Sequence, residues 1–369
     1  PILDYQDLPS QELFERIVVA KKALGDQVLM LGHNYQRDDV ILHADLRGDS
    51  LLLSKLAAER SQYPYIVFCG VHFMAETADI LSQTNQTVIL PDLAAGCSMA
   101  DMAAIEQVDQ CWEELGRILN VEEEVMPAVY VNSAAVLKAF CGEHGGITCT
   151  SSNAKAVMEW CWARREKILF FPDEHLGRNI ANKMGMRREQ MIIWDPYMPY
   201  GGNTKDAIRN AKLILWKGHC SVHQMFQPEH VEYFRNAYPG IHVIVHPECH
   251  ENVVNRADLV GSTEFIIRTV KQAEPDTQWV VGTELNLVNR LKHEEKDKQV
   301  FFLSPTVCRC ATMYRIDAAH LCWTMENLAQ GTVVNQISVP DDDKVLARIA
   351  LDRMTVSYTH LTLPTSDLV

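Results

Sequence analysis

Short apolar, β-branched runs alternate along the chain with longer stretches of helical periodicity. This rhythm predicts parallel sheets covered by helices, an α/β fold. The strand-like runs are "VLML" at 28–31, "YIVF" at 65–68, "TVIL" at 87–90, "AVYV" at 128–131, "ILFF" at 168–171, "LILW" at 213–216, "HVIV" at 242–245, "WVV" at 279–281 and "VFFL" at 300–303. They number nine, which divides into three groups of three.

Offsets test that division. In the first group His33 follows the first strand, and Ser50, Gly70 and Cys97 come 17, 37 and 64 residues later. In the last group His246 follows the first strand, and Thr263, Thr283 and Cys310 come at the same 17, 37 and 64. The middle group runs from Asn132 to Ser151, Pro172 and Cys220 at offsets of 19, 40 and 88, the same order of parts with an insertion near 184–210 that holds "DPYMPYGGN". Three such matches predict an internal triplication. The expected units are 22–110, 111–232 and 233–354, each a three-layer α/β repeat. Ligands of parallel α/β sheets bind outside the carboxyl ends of the strands, and the singled-out polar residues fall at such ends. Three units related by a pseudo-threefold axis would aim them at one central active site. After Ser357 the sequence "SYTHLTLPTSDLV" loses all pattern, and 357–369 reads as a non-native tail outside the fold.

Composition narrows the chemistry. Of 369 residues, 47% are hydrophobic and 22% charged, enough to bury a substantial core. A formal charge of −14 argues against nucleic acid as the main partner, because phosphate backbones need a basic footprint. A small anionic substrate remains compatible, since local basic groups and helix N-termini suffice for it. No apolar run approaches the ~20 residues a membrane span needs, and no signal peptide opens the chain. The expectation is a cytoplasmic protein with no membrane partner. Its 11 cysteines then read as thiols or metal ligands, not as a disulfide framework.

Three cysteines stand apart. Cys97 in "AAGCSMADM", Cys220 in "KGHCSVHQM" and Cys310 in "CRCATMYRI" each follow a third strand and precede a small residue. Thiolates are soft ligands. Zinc modules space them in tight pairs, whereas these are far apart and related by repetition. Three thiolates suit three corners of a [4Fe–4S] cube, leaving one iron open for Lewis-acid work. Cys308 competes with Cys310, and the offset of 64 with the small following residue selects Cys310. Cys69, Cys111, Cys141, Cys149, Cys161 and Cys322 read as small buried hydrophobes.

Polar groups cluster at the first strand ends: His33, Asn34 and Tyr35; Tyr130, Asn132 and Ser133; His246, Glu248, Cys249 and His250. Each group alone is ordinary, and "HPECH" alone mimics a small metal site; the repetition is what points to function. The turns "GDS", "TSS" and "GST" place Ser50, Ser151 and Thr263 before helices, as N-caps and as carboxylate or phosphate sites. "HFMAETADIL" and "PDEHLGRN" read as ordinary helix starts, with Glu76 and Glu174 favourable at the N-terminal dipole and His175 a weaker candidate.

These motifs carry a resemblance to the quinolinate synthetase A family. The matching stretches are "GHNYQ", "GDSLLLS", "FCGVHFMAETADIL", "PDLAAGCSMADM", "VYVNSAA", "TCTSSNA", "FFPDEHLGRN", "KGHCSVHQMF", "VIVHPECHENVV", "ADLVGST", "VGTELNLVNRL" and "CRCATMYRID", spread from about residue 11 to 354. The resemblance implies a [4Fe–4S] enzyme of NAD biosynthesis that condenses iminoaspartate with dihydroxyacetone phosphate, losing phosphate and two waters, to give quinolinate. It implies Cys97, Cys220 and Cys310 as cluster ligands. It implies iminoaspartate contacts at His33, Ser50, Tyr130, Asn132, Ser151, His246, Glu248 and Thr263, and an active-site tyrosine at Tyr35. The partner enzyme it implies is the L-aspartate oxidase or dehydrogenase that supplies iminoaspartate. Chemistry then suggests Glu248 and Tyr35 for proton transfer, with His33 and His246 as donors to carboxylates or an oxyanion. The rival readings are an open-iron hydrolyase, an iron–sulfur sensor and a zinc-binding structural protein.

Overall fold

Each of the nine apolar runs forms a strand in the computed structural model, and five short strands join them. The structure describes residues 1–306 and 309–361, with backbone alone for 355–361. Cys308 and the tail beyond residue 361 lie outside the described residues.

The first sheet is built from β1 (Val28–His33), β2 (Leu46–Gly48), β3 (Tyr65–Cys69) and β4 (Thr87–Ile89), in the order β2-β1-β3-β4 and all parallel. The second comprises β5 (Val125–Tyr130), β6 (Ile147–Cys149), β7 (Lys167–Phe171), β8 (Met191–Trp194) and β9 (Leu213–Trp216), in the order β6-β5-β7-β9-β8 and again all parallel. The third comprises β10 (His242–Val245), β11 (Leu259–Val260), β12 (Gln278–Gly282) and β13 (Gln299–Phe302), in the parallel order β11-β10-β12-β13. One topology therefore occurs three times. Its second member is a strand of two or three residues that ends just before "DS", "TSS" or "GST". The insertion adds β8 to the free edge of β9 without disturbing the other four. A last strand, β14 (Gln336–Ile337), pairs antiparallel with β4.

Sequence composition accounts for the sheets. All residues of β1, β5 and β7 are buried, as expected for parallel strands covered on both faces. Lys167 is accommodated at the start of β7 because its Nζ donates to the Arg209 carbonyl at 2.9 Å. In the insertion, the backbone turns through the left-handed region at Tyr200 (φ 53°), Gly201 (φ 62°) and Gly202 (φ 77°). A side chain at Gly201 would run into the Trp194 ring, so glycine is required there both for its dihedrals and for its size.

The contacts divide the chain into two compact units. One comprises 1–98, 221–246 and 252–339, and holds the first and third sheets. In it helix Ser10–Leu24 lies along helix Ala318–Ala329, with Arg16 Nη2 2.7 Å from Glu326 Oε2 and the Tyr5 hydroxyl donating to the same oxygen at 2.7 Å. The other comprises, among the described residues, 99–220, 247–251 and 340–361, and holds the second sheet. Its core gathers Trp112, Phe140, Phe171, Trp194 and Trp216. Helix Asp341–Leu361 crosses helix Ala135–Glu143 there, and Arg353 Nη1 donates to the Gly146 carbonyl at 2.7 Å. The backbone of this last helix extends through 357–361, contrary to the patternless reading of that segment.

Candidate functional site

In the first unit, β1 ends on His33, β10 leads into His246 and β12 leads into Thr283. His33 is buried, and its Nδ1 accepts the backbone N–H of Tyr35 at 3.1 Å. That bond assigns the ring proton to Nε2. Burial, and secondarily the Arg290 charge, push the His33 pKa down to about 3, so the ring is a neutral donor. The Tyr35 hydroxyl and Thr283 Oγ1 are hydrogen-bonded at 2.7 Å, and Thr283 Oγ1 lies 3.2 Å from His223 Nε2. The His223 and His246 rings stack with centroids 4.7 Å apart. A continuous polar chain thus runs Tyr35–Thr283–His223, with His246 against its end.

His223 and Thr283 were not among the sequence candidates. Thr283 carried a signal, since it sits at the repeat offset of 37. His223 carried a weaker one: it lies three residues after Cys220 in the short helix Ser221–Gln224, not at a strand end.

Ser50 and Thr263 are buried at the first positions of helices Ser50–Glu59 and Thr263–Gln272. The capping expectation is corrected here. Asp49 Oδ1 accepts from Leu52 N and Ser262 Oγ from Phe265 N, so the preceding residue caps each helix. Both turns contain two capping-competent residues, and only the first adopts the extended cap conformation. Ser50 and Thr263 thereby keep their hydroxyls beside the unsatisfied N–H groups of a first turn.

In the second unit, β5 ends on Tyr130, whose hydroxyl donates to Glu248 Oε1 at 2.7 Å. Both residues are buried. Asn132 follows in a turn pinned by fully buried Lys138, whose Nζ donates to the Ser133 carbonyl. Ser151 does not cap a helix either. It lies in a turn where Asn153 Oδ1 accepts from Thr150 N, and the helix begins at Ala154. Asp173 is sealed at the start of helix Glu174–Lys183, where Oδ1 accepts from Leu176 N at 2.8 Å. Burial, and next the nearby Glu248 carboxylate, raise its pKa well above the ordinary value. Within "HPECH", Cys249 is fully buried and Glu248 accepts the Tyr130 hydroxyl. Glu76 lies 3.5 Å from His72, and Glu174 pairs with Arg178 at 2.9 Å. His175 is held neutral by burial and by Arg178, with its pKa lowered to about 3.

Ten cysteines are described, and none is in a disulfide. Seven are buried: Cys69, Cys111, Cys141, Cys149, Cys161, Cys249 and Cys322. Cys97, Cys220 and Cys310 are the partly exposed three. Each follows the last apolar strand of its repeat, after β4, β9 and β13 respectively. Burial raises the Cys310 thiol pKa, against the lowering influence of the Thr312 hydroxyl at 3.4 Å and nearby N–H groups. A bound cation reverses that preference, since it replaces the proton. Accessible thiols at repeat-equivalent positions are the donor set a thiolate-held cluster requires, so these residues fit such a group.

Comparison with known proteins accords with this arrangement. The quinolinate synthetase A protein family profile matches residues 15–356. A quinolinate synthase from Rhodopirellula baltica is 54% identical over 365 residues, covering 96% of this chain and 93% of its own. One from Herpetosiphon aurantiacus is 55% identical over 353 residues, covering 95% and 94%. One from Geobacillus kaustophilus is 54% identical over 350 residues, covering 95% of both. With repeated sheets, strand-end polar groups and a family match across nearly its whole length, this chain belongs to the quinolinate synthetase A family.

Proposed function

We propose that this protein is a quinolinate synthase of NAD biosynthesis, condensing iminoaspartate with dihydroxyacetone phosphate to quinolinate with release of phosphate and two waters. We further propose a [4Fe–4S] cluster held by Cys97, Cys220 and Cys310. The observation that carries this reading is the sorting of the cysteines: the three at repeat-equivalent strand ends are partly exposed and the other seven described ones are buried. An open iron supplies Lewis acidity, able to hold a substrate carboxylate or hydroxyl and ease departure of hydroxide.

The chain's own residues supply the rest. Ser50 and Thr263, at first helical positions, and Asn132 and Ser151, in turns, orient carboxylates through hydroxyl, amide and backbone donors. His33 donates its Nε2–H without carrying charge, which suits a carboxylate or a developing oxyanion. His246 does likewise from the end of β10. Glu248, anchored on the Tyr130 hydroxyl, takes and returns protons in the condensation and dehydrations, a role worth typically ~10²–10⁴-fold. Tyr35 moves a second proton along its hydrogen bond to Thr283. The iminoaspartate would come from an L-aspartate oxidase or dehydrogenase.

The test is Cys97→Ala, Cys220→Ala and Cys310→Ala, each reconstituted anaerobically, with iron and sulfide counted per chain and quinolinate formation measured. Each variant is expected to lose the intact cluster and the activity; full cluster content in any one overturns its ligand assignment. Glu248→Gln is expected to keep its cluster and lose ~10²-fold or more in kcat, and unchanged kcat removes it from proton transfer.

A further inference from the structure

Two side chains, one buried and one half-buried, to which the proposed chemistry gives no task occupy equivalent positions in two repeats. Asn179 lies seven residues after Pro172, and Arg290 seven after Thr283, the residues that follow β7 and β12. They belong to the corresponding helices Glu174–Lys183 and Leu285–Glu294. Asn179 Nδ2 donates to the Pro247 carbonyl at 2.8 Å and to the Cys249 carbonyl at 2.8 Å. Those are the carbonyls on either side of Glu248. The Arg290 guanidinium donates to the Asn34 carbonyl at 2.8 Å and to the Gln36 carbonyl at 2.6 Å. Those are the carbonyls on either side of Tyr35. On the same helix, Asn286 Nδ2 takes the Tyr35 carbonyl itself at 3.1 Å.

Loops mount reactive groups less precisely than helices or strands do, unless a supporting shell locks them. A donor that holds the carbonyls before and after one residue fixes the peptide plane that leads into it and the plane one residue beyond it, so the backbone is tethered on both sides of that residue. For Tyr35 the Asn286 bond to its own carbonyl fixes the intervening plane as well. The side chain between the tethers is left chiefly its own torsions. For Glu248 those torsions are set by the 2.7 Å bond from Tyr130, and for Tyr35 by the 2.7 Å bond to Thr283. A fork is the donor shape this needs: the amide NH₂ of Asn179 has two N–H groups and the guanidinium of Arg290 has five.

We propose that Asn179 and Arg290 are positioning residues, Asn179 aiming the carboxylate of Glu248 and Arg290 aiming the phenol of Tyr35. This rests on the assignment of Glu248 and Tyr35 to proton transfer. Arg290 has a second effect through its charge, which helps keep His33 neutral.

The experiment uses cluster-loaded enzyme and double-mutant cycles. Asn179→Ala is combined with Glu248→Gln, and Arg290→Lys with Tyr35→Phe. Lysine keeps the charge beside His33 but offers a point donor instead of a fork. Each of Asn179→Ala and Arg290→Lys is expected to lower kcat about 10–100-fold, the scale of a displaced reacting group, with cluster content unchanged and KM little moved. Each double variant is expected to be no slower than its Glu248→Gln or Tyr35→Phe parent. Retained kcat in the single variants, or losses that add in the doubles, overturns the positioning role. Asn179→Ser, which is smaller yet polar, serves if the alanine variant does not fold, and Arg290→Lys decides alone if neither does. Retained kcat in Glu248→Gln or Tyr35→Phe instead overturns the proton-transfer assignment, so the two failures are separable.

Discussion

A carboxyl group sealed from water beside another carboxylate ionises less readily than a free one, and Asp173 is in that position beside Glu248. The linkage has a definite sign. A folded pKa raised above the ordinary 3.8 makes this group's contribution most favourable below 3.8, and that contribution is lost as pH rises through the folded value. Asn at this position keeps the capping oxygen, which accepts the Leu176 N–H, and carries no charge at any pH. Asp173→Asn is therefore expected to gain stability relative to the parent as pH rises from about 5 to about 8, measured by anaerobic chemical denaturation. A gap that narrows over that range would show Asp173 to be ionised in the fold. Legibility at this scale was uneven. Tyr130 and Glu248 were legible, and the structure joins them. Asp173 was not: "FFPDEHLG" shows an acid at a helix start, but its burial depends on neighbours distant in sequence, such as Glu248. His223 escaped because strand-end position was the criterion, and it sits on a helix.

At the scale of elements, the C-terminal helix is held by a contact that leaves no room for a side chain. A Cβ on Gly142 would clash with the Leu346 carbonyl where helix Asp341–Leu361 crosses helix Ala135–Glu143. Gly142→Ala must push the helices apart, at a cost of about 1–3 kcal/mol or more, despite alanine's better helix propensity. A lowered Tm is expected; a raised one would mean the crossing is not as close as the backbone indicates. The nine strands with strong apolar runs were legible in the sequence. The five that were not are β2, β6, β8, β11 and β14, each of two to four residues. Leu46-Arg47-Gly48 has no apolar alternation to read. Such strands exist because a longer neighbour, β1 in this case, presents an unpaired ladder to them. The helix starts at "GDS" and "GST" were legible to within one residue, because each turn holds two competent caps and only the backbone dihedrals choose between them; the start after "TSS" was not, since the cap there is Asn153, two residues past Ser151.

At the scale of the whole molecule, the threefold recurrence of one strand order carries the argument that the offsets began. Pairs of positions separated by 17, 37 and 64 residues are equal in the outer groups because the same strands and helices intervene; the middle group departs from 64 because β8 and its flanking turn are inserted before β9. The repetition also sorts the cysteines, and this sorting has a chemical consequence. Alkylation consumes thiolate, so reactivity follows exposure and pKa together. Burial pushes the Cys69 thiol to about 12 and the Cys322 thiol to about 11, and raises those of Cys111, Cys141, Cys149 and Cys161 as well. Iodoacetamide added to the folded, cluster-stripped protein should therefore label Cys97, Cys220 and Cys310 first among these ten, with the buried seven reacting only on unfolding. Cluster reconstitution before labelling should protect all three together, read peptide by peptide by mass spectrometry. Coupled protection is the decisive feature, because a merely exposed cysteine has no reason to respond to iron and sulfide. If one of the three stays reactive while the other two are protected, the cluster draws its third thiolate from elsewhere, and the equivalence of the three repeats does not extend to ligation.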